Sequence, residues 1–157
     1  MLNKILVYST ILLFLNTTKA ISSDIPILVI APSKKPQSIS TVGTSVVVLD
    51  EKFLQSSSEY FLGDVLSNNS TSANFFQNGG HGSTSAIQLR GLPKRYSTVY
   101  IDGVKMSDPS SVSGDFDFNH ILTSQISRVE ILKGNQSSVY GSGAIGGTIN
   151  ITTKQGK

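Results

Sequence analysis

Arg128-Val129-Glu130-Ile131-Leu132-Lys133-Gly134 and Tyr140-Gly141-Ser142-Gly143-Ala144-Ile145-Gly146-Gly147-Thr148-Ile149-Asn150-Ile151-Thr152 are two alternating apolar runs joined by a glycine-rich connection. Val129 and Ile131 in the first run, and Ile149 and Ile151 in the second, recur every second residue with β-branched side chains. That period predicts two strands, each burying one face. Four glycines in the seven positions from Gly141 to Gly147 permit positive φ and close backbone approach. A free surface loop has little reason to bear the entropic cost of that density, so a packed turn is expected. The spacing Gly141-x-Gly143-x-x-Gly146 formally matches a dinucleotide fingerprint, but that fingerprint opens a helix early in a βαβ unit. Here a strand follows, over residues 148–152.

The first twenty residues read as a secretory signal. Lys4 supplies the charge, residues 5–15 an apolar core, and Asn16-Thr17-Thr18-Lys19-Ala20 a polar end with a small residue at the expected cut. The apolar core is shorter than the roughly 20 residues a membrane span needs, and no later segment offers one. Removing residues 1–20 lowers the basic count from 13 to 11 against 10 acidic residues, which is no nucleic-acid footprint. The absence of cysteine excludes disulfides and thiolate metal sites, so stability must come from burial. The remainder suffices for one small domain.

Residues 21–40 carry Pro26, Pro32 and Pro36 around one short apolar run, Ile27-Leu28-Val29-Ile30-Ala31. Proline denies the backbone regular hydrogen bonding, so the segment reads as an extended tether. Its apolar run is either incidental or a strand suited to a partner's sheet edge. Strands are expected at 45–49, 87–91 and 97–101, a helix over the apolar set Tyr60, Phe61, Leu62, Val65 and Leu66, and a polar break over 68–73. Residues 75–85 read as a glycine-rich loop, Asp102-Gly103 as a tight turn, 106–119 as a polar loop, and 120–126 as a short helical piece. The count of five or six short strands and one or two short helices is that of a small α+β domain.

In order along the chain, Ile87-Gln88-Leu89-Arg90-Gly91, Tyr100-Ile101-Asp102-Gly103-Val104, Val129-Glu130-Ile131-Leu132-Lys133-Gly134 and residues 140–147 resemble the motif series of the plug domain of TonB-dependent outer-membrane receptors. The runs Gln77-Asn78-Gly79-Gly80-His81-Gly82 and Val112-Ser113-Gly114-Asp115-Phe116-Asp117 are similar to the vitamin B12 (cobalamin) receptor branch. The resemblance implies a plug with a mixed four- to six-stranded sheet over residues 41–154, after a signal at 1–20 and a tether at 21–40. It implies that Ile27, Leu28, Val29, Ile30 and Ala31 are the TonB box, the segment that pairs with the TonB protein of the inner-membrane energising complex. Arg90 and Lys133 match family positions whose cations meet glutamates on the wall of a roughly 22-stranded barrel. At Lys133 the family usually has arginine, a better bidentate partner for carboxylate, and at Asn135 it usually has proline.

By the same resemblance Asn78, Gly79, Gly80, His81, Ser83 and Thr84 form one apical loop that meets ligand from below. Ser110, Ser111, Val112, Ser113 and Gly114 belong to the other. Hydroxyls and amides suit a neutral, amide-rich small molecule because they offer donors and acceptors without an unpaired charge. His81 and His120 lack the neighbouring partners that a metal or catalytic site needs. The implied function is that of the gate of an active transporter for cobalamin or a similar scarce nutrient, in the outer membrane with its tether in the periplasm. A siderophore receptor plug, or a free periplasmic plug-like module that binds without a pore, are the alternatives. No enzyme motif competes: Ser142 lies in Gly141-Ser142-Gly143 rather than a Gly-x-Ser-x-Gly elbow. No cofactor is implied. The family's barrel needs about 450 further residues, and its first strand is expected to start within or just after residues 155–157; the chain itself holds no barrel pattern.

Overall fold

The two alternating runs become the two longest strands of the molecule and lie side by side near the middle of one sheet. The computed structural model describes residues 28–29, 34–80, 82–112, 114 and 116–156. In chain order these form β1 (Leu28–Val29), β2 (Gln37–Ser38), β3 (Ser45–Asp50), α1 (Glu51–Ser56), α2 (Leu62–Asn69), β4 (Ala73–Gln77) and β5 (Ser85–Leu89). Then follow β6 (Ser97–Ile101), β7 (Val104–Met106), β8 (Ile126–Lys133), the one-turn α3 (Ser137–Tyr140) and β9 (Gly147–Thr153). The expected leader at 1–20 lies outside the described residues. Among the described residues no helix is long and apolar enough to cross a membrane.

The main sheet runs β3-β8-β9-β6-β7, with β6 and β9 parallel and the other neighbours antiparallel. The α+β class and the mixed sheet of four to six strands are therefore as expected. Register sets Val129 opposite Ile151 and Ile131 opposite Ile149, so the β-branched residues of both runs share one face. All four are fully buried beneath α1 and α2. On α2, Leu62, Val65 and Leu66 recur at the i, i+3, i+4 spacing of a single helix face, and each is wholly buried. Burial of one such side chain contributes roughly 1.5–3 kcal/mol. Asp50 ends β3 and starts α1 by accepting a hydrogen bond from the Phe53 backbone N–H at 2.8 Å. Gly63 lets α2 approach β4 closely, since a Cβ there would run into the Phe75 ring.

Four expectations need correction. The glycine-rich loop foreseen from residue 75 begins only at Asn78, because β4 extends through Gln77. Phe75 and Phe76 pair across the strand with Ile87 and Ala86, and apolar cross-strand pairs hold that segment extended. The helix foreseen from Tyr60 starts at Leu62, leaving Tyr60 four-fifths exposed, and runs to Asn69 through the start of the expected break. Residues 120–126 form only a 3-10 turn, Thr123–Gln125, because Phe61 bridges to Leu122 and holds that stretch extended. Strands outnumber the forecast because short pairings such as β1–β2 and β6–β7 add to the core set. The Asp102-Gly103 turn is as expected: both residues have positive φ, 49° and 83°, as a tight hairpin of the mirror-image type requires.

Candidate functional site

The glycine-rich connection is packed, as its density suggested. Gly147 has φ 147°, and a Cβ there would fall on the Leu132 carbonyl oxygen of the neighbouring strand. Gly146 donates its N–H to Tyr96 O at 2.9 Å, and its own carbonyl accepts from Gly134 N at 3.2 Å. The segment thus stitches the end of β8 to the turn before β6. No open phosphate cradle remains there.

This stitching gathers the two cations that the sequence singled out. Arg90 follows β5 with φ 56°, exposed, its N–H donating to Ser72 O at 2.7 Å. Lys133 ends β8, half-buried, between Ser45 and Gly147. Arg90 Nη1 would stand 3.4 Å from a Cβ on Gly134, so its guanidinium lies against the residue that follows Lys133. The ion pairs found among the described residues, Arg128 with Glu130 at 2.9 Å and Lys154 with Glu51 at 3.3 Å, involve neither cation. The Arg90 guanidinium therefore lies beside the backbone where β8 ends.

The two loops meet at their bases. Asp117 Oδ1 accepts from Ser85 Oγ at 2.6 Å, Ser85 N at 3.3 Å and Asn119 N at 3.1 Å, and Ser85 Oγ in turn accepts from Phe118 N at 3.0 Å. Burial alone would raise the Asp117 carboxyl, but the hydrogen bonds from Ser85 and Asn119 together outweigh it and hold it below the usual carboxylate range. Within the first loop, Asn78 N donates to Thr84 O and Ser83 N to Gly80 O, both at 3.1 Å. In the second, Asp108 Oδ1 accepts from Ser110 Oγ at 2.6 Å and Ser110 N at 2.8 Å, which lowers its pKa, and Gly114 N donates to Ser111 O at 3.0 Å. Val112 is fully exposed. His81 and Ser113 lie outside the described residues.

Beside the first loop is a recess of about 230 Å³ lined by Phe76, Asn78, Thr84, Ser85, Gln88 and Lys94. A smaller one of about 150 Å³ touches Lys94, Lys105, Ser107 and Gly114 by the second loop. Asn78, Thr84 and Gly114 were foreseen here; Phe76, Gln88 and Lys94 were not. The alternation of β4 and β5, which puts Phe76 and Gln88 on one face, is the signal that would have found two of them. Both recesses are smaller than the ~300–1,000 Å³ of a complete small-molecule site. Of the expected TonB box, Leu28 and Val29 form β1, which pairs antiparallel with β2: Leu28 opposite Ser38 and Val29 opposite Gln37. Ile27, Ile30 and Ala31 lie outside the described residues.

The family profile of the TonB-dependent Receptor Plug Domain matches residues 38–148. The chain belongs to that family. Among solved structures this plug domain is similar to the ferric yersiniabactin uptake receptor FyuA from Yersinia pestis. Identity is 28% over 71% of this chain and 17% of that one, with a TM-score of 0.54. It is similar also to the siderophore receptor PirA from Pseudomonas aeruginosa, at 25% identity over 71% of this chain and 18% of that one, TM-score 0.55. A mutant of the ferric enterobactin receptor PfeA from Pseudomonas aeruginosa, in complex with enterobactin, shares the fold at 22% identity and TM-score 0.56, over 73% of this chain and 18% of that one. The plug domain thus spans less than a fifth of the length of these receptors.

Proposed function

We propose that this plug domain closes the lumen of a TonB-dependent outer-membrane transporter and is pulled through its tether when TonB engages residues 27–31. The observation that carries the reading is the plug-family match over residues 38–148, preceded by an apolar segment of which Leu28–Val29 are already extended and β-paired. An extended backbone is the conformation in which strand addition supplies affinity. Arg90 and Lys133 anchor the plug to carboxylates on the barrel wall; that neither joins an ion pair found among the described residues supports this role. A partly desolvated arginine–carboxylate pair is far stronger than an exposed one.

Residues 78–84 and 110–114 form the floor of a ligand site whose walls the barrel completes, in keeping with the small size of both recesses. Two ligand classes remain in play. The runs at 77–82 and 112–117 favour cobalamin, while the solved relatives are siderophore receptors, which favours a ferric chelate. Isothermal titration of the chain from residue 21 onward against the TonB C-terminal domain tests the central claim. Binding is expected, and Val29→Pro abolishes it by removing a backbone donor from the added strand; equal affinity of the two proteins would refute the box assignment.

A further inference from the structure

The chain contains one Asn-Gly pair, Asn78-Gly79, and the fold sets it in the connection between β4 and β5 with both residues exposed. No hydrogen bond of the Asn78 side chain is found among the described residues, and the Gly79 N–H donates none to their backbone. Other asparagine side chains are engaged. Asn68 Nδ2 donates to Glu59 Oε1 at 3.2 Å, Asn69 Nδ2 donates to Val65 O at 2.9 Å, and Asn135 Oδ1 accepts from Ser137 N at 2.9 Å. Every other asparagine also precedes a residue with a side chain, which shields the next backbone nitrogen and restricts its approach. Glycine leaves that nitrogen open and its backbone free to turn.

The bonds from Asn78 N to Thr84 O and from Ser83 N to Gly80 O fold the connection back on itself and bring Ser83 against Gly79. Ser83 Oγ would stand 3.3 Å from a Cβ on Gly79. That hydroxyl is buried and has no hydrogen-bond partner among the described residues. Leaving such a group unpaired costs about 1–3 kcal/mol, so a reaction beside it that develops an acceptor is favoured.

We propose that Asn78-Gly79 is a site of spontaneous covalent modification, assisted by the Ser83 hydroxyl, which turns the amide beside the first recess into a carboxylate. The Gly79 nitrogen attacks Asn78 Cγ. The new C–N bond closes a cyclic imide, the Cγ–Nδ2 bond breaks, and ammonia leaves with the Gly79 proton. Ser83 Oγ–H donates to the negative charge that develops on Asn78 Oδ1 during the attack. Water then opens the imide, its hydroxyl going to a carbonyl carbon and its proton to the nitrogen. Breaking the Cγ–N bond gives aspartate, and breaking the backbone C–N bond gives isoaspartate. Either product adds a negative charge to a recess whose described lining holds Lys94 and no acid. Isoaspartate also inserts a carbon into the backbone before Gly79, which displaces the turn closed by Gly80 O and Ser83 N. The loop changes charge and shape with age while the buried frame is untouched, whatever the loop binds.

Incubation of the whole chain in mildly alkaline buffer, followed by peptide mapping with mass spectrometry, tests it; enzymatic methylation of the free α-carboxyl scores isoaspartate. Conversion is expected at Asn78 well ahead of Asn68, Asn69 and Asn135. Gly79→Ala should show no product at residue 78 over a period in which most of the wild type converts. Ser83→Ala should slow conversion by about two- to tenfold, the worth of one hydrogen bond to the reacting group, with an unchanged circular dichroism spectrum. Ser83→Thr keeps the hydroxyl and should restore the wild-type rate. A Ser83→Ala rate equal to or above that of the wild type, failure of Ser83→Thr to restore it, undiminished product in Gly79→Ala, or conversion at Asn69 as fast as at Asn78 overturns the proposal.

Discussion

Where β8 meets β9, Val129, Ile131, Ile149 and Ile151 have no accessible surface at all, whereas in the second loop Val112 stands wholly in solvent and Asp108 accepts hydrogen bonds from Ser110 of its own turn. The first region is fixed by apolar area removed from water, shared among several elements. The second is fixed by local hydrogen bonds, which exchange for water at little net gain. The domain thus joins a frame held by packing to loops held by bonds that water can replace. Asp117 is where they join, since its carboxylate ties the start of β5 to the end of the second loop.

That contrast can be broken most severely at Gly147. Gly147→Val should lose about 2–6 kcal/mol, from strain at a φ of 147° and from collision with Leu132 O together, leaving little folded protein in a urea titration. A wild-type midpoint would show that the connection is not tightly packed. Ile131→Ala follows, with about 2–5 kcal/mol expected for a fully buried aliphatic truncation, read by the same titration. Asp117→Ala should cost about 1–3 kcal/mol by orphaning the Ser85 and Asn119 donors, and should raise hydrogen exchange in both loops together.

The sign of the accompanying pH dependence is fixed by the lowered pKa of Asp117. Its stabilising contribution is present above the unfolded carboxylate value of about 3.9 and is lost as pH falls through the lower folded value. Acid titrations of wild type and Asp117→Asn should therefore converge below about pH 4; curves that stay parallel would assign the acid sensitivity elsewhere. Smallest is Lys154→Ala. It removes an exposed 3.3 Å pair with Glu51 and should shift stability by less than about 1 kcal/mol.

The frame was legible because its signals are periodic and local. Val129, Ile131, Ile149 and Ile151 announce their face at period two, and Asp102-Gly103 announces a turn by its backbone demands. What escaped was set by contacts distant in sequence. Phe75 and Phe76 read as part of a glycine loop because their strand partners, Ile87 and Ala86, are ten or more residues away. The shared recess lining of Lys94 had no local signature, since two loops brought together by a Ser85–Asp117 bond create it. Nothing local in the sequence marks Lys34, and only the fold puts Tyr100 and Tyr140 beneath it.

The strand order carries a consequence for how the domain acquires its structure. β9, the last strand along the chain, lies between β8 and β6, and β3 waits some eighty residues for its partner β8. Contacts this far apart in sequence make assembly slow, because loop-closure entropy is spent before the pairing rewards it. A chain emerging from its N-terminus cannot complete the sheet until residues 147–153 are available, and until then β6 and β8 expose unpaired edges that invite association. A sheet left open at its centre until its last strand is made is thus built into the topology of this plug.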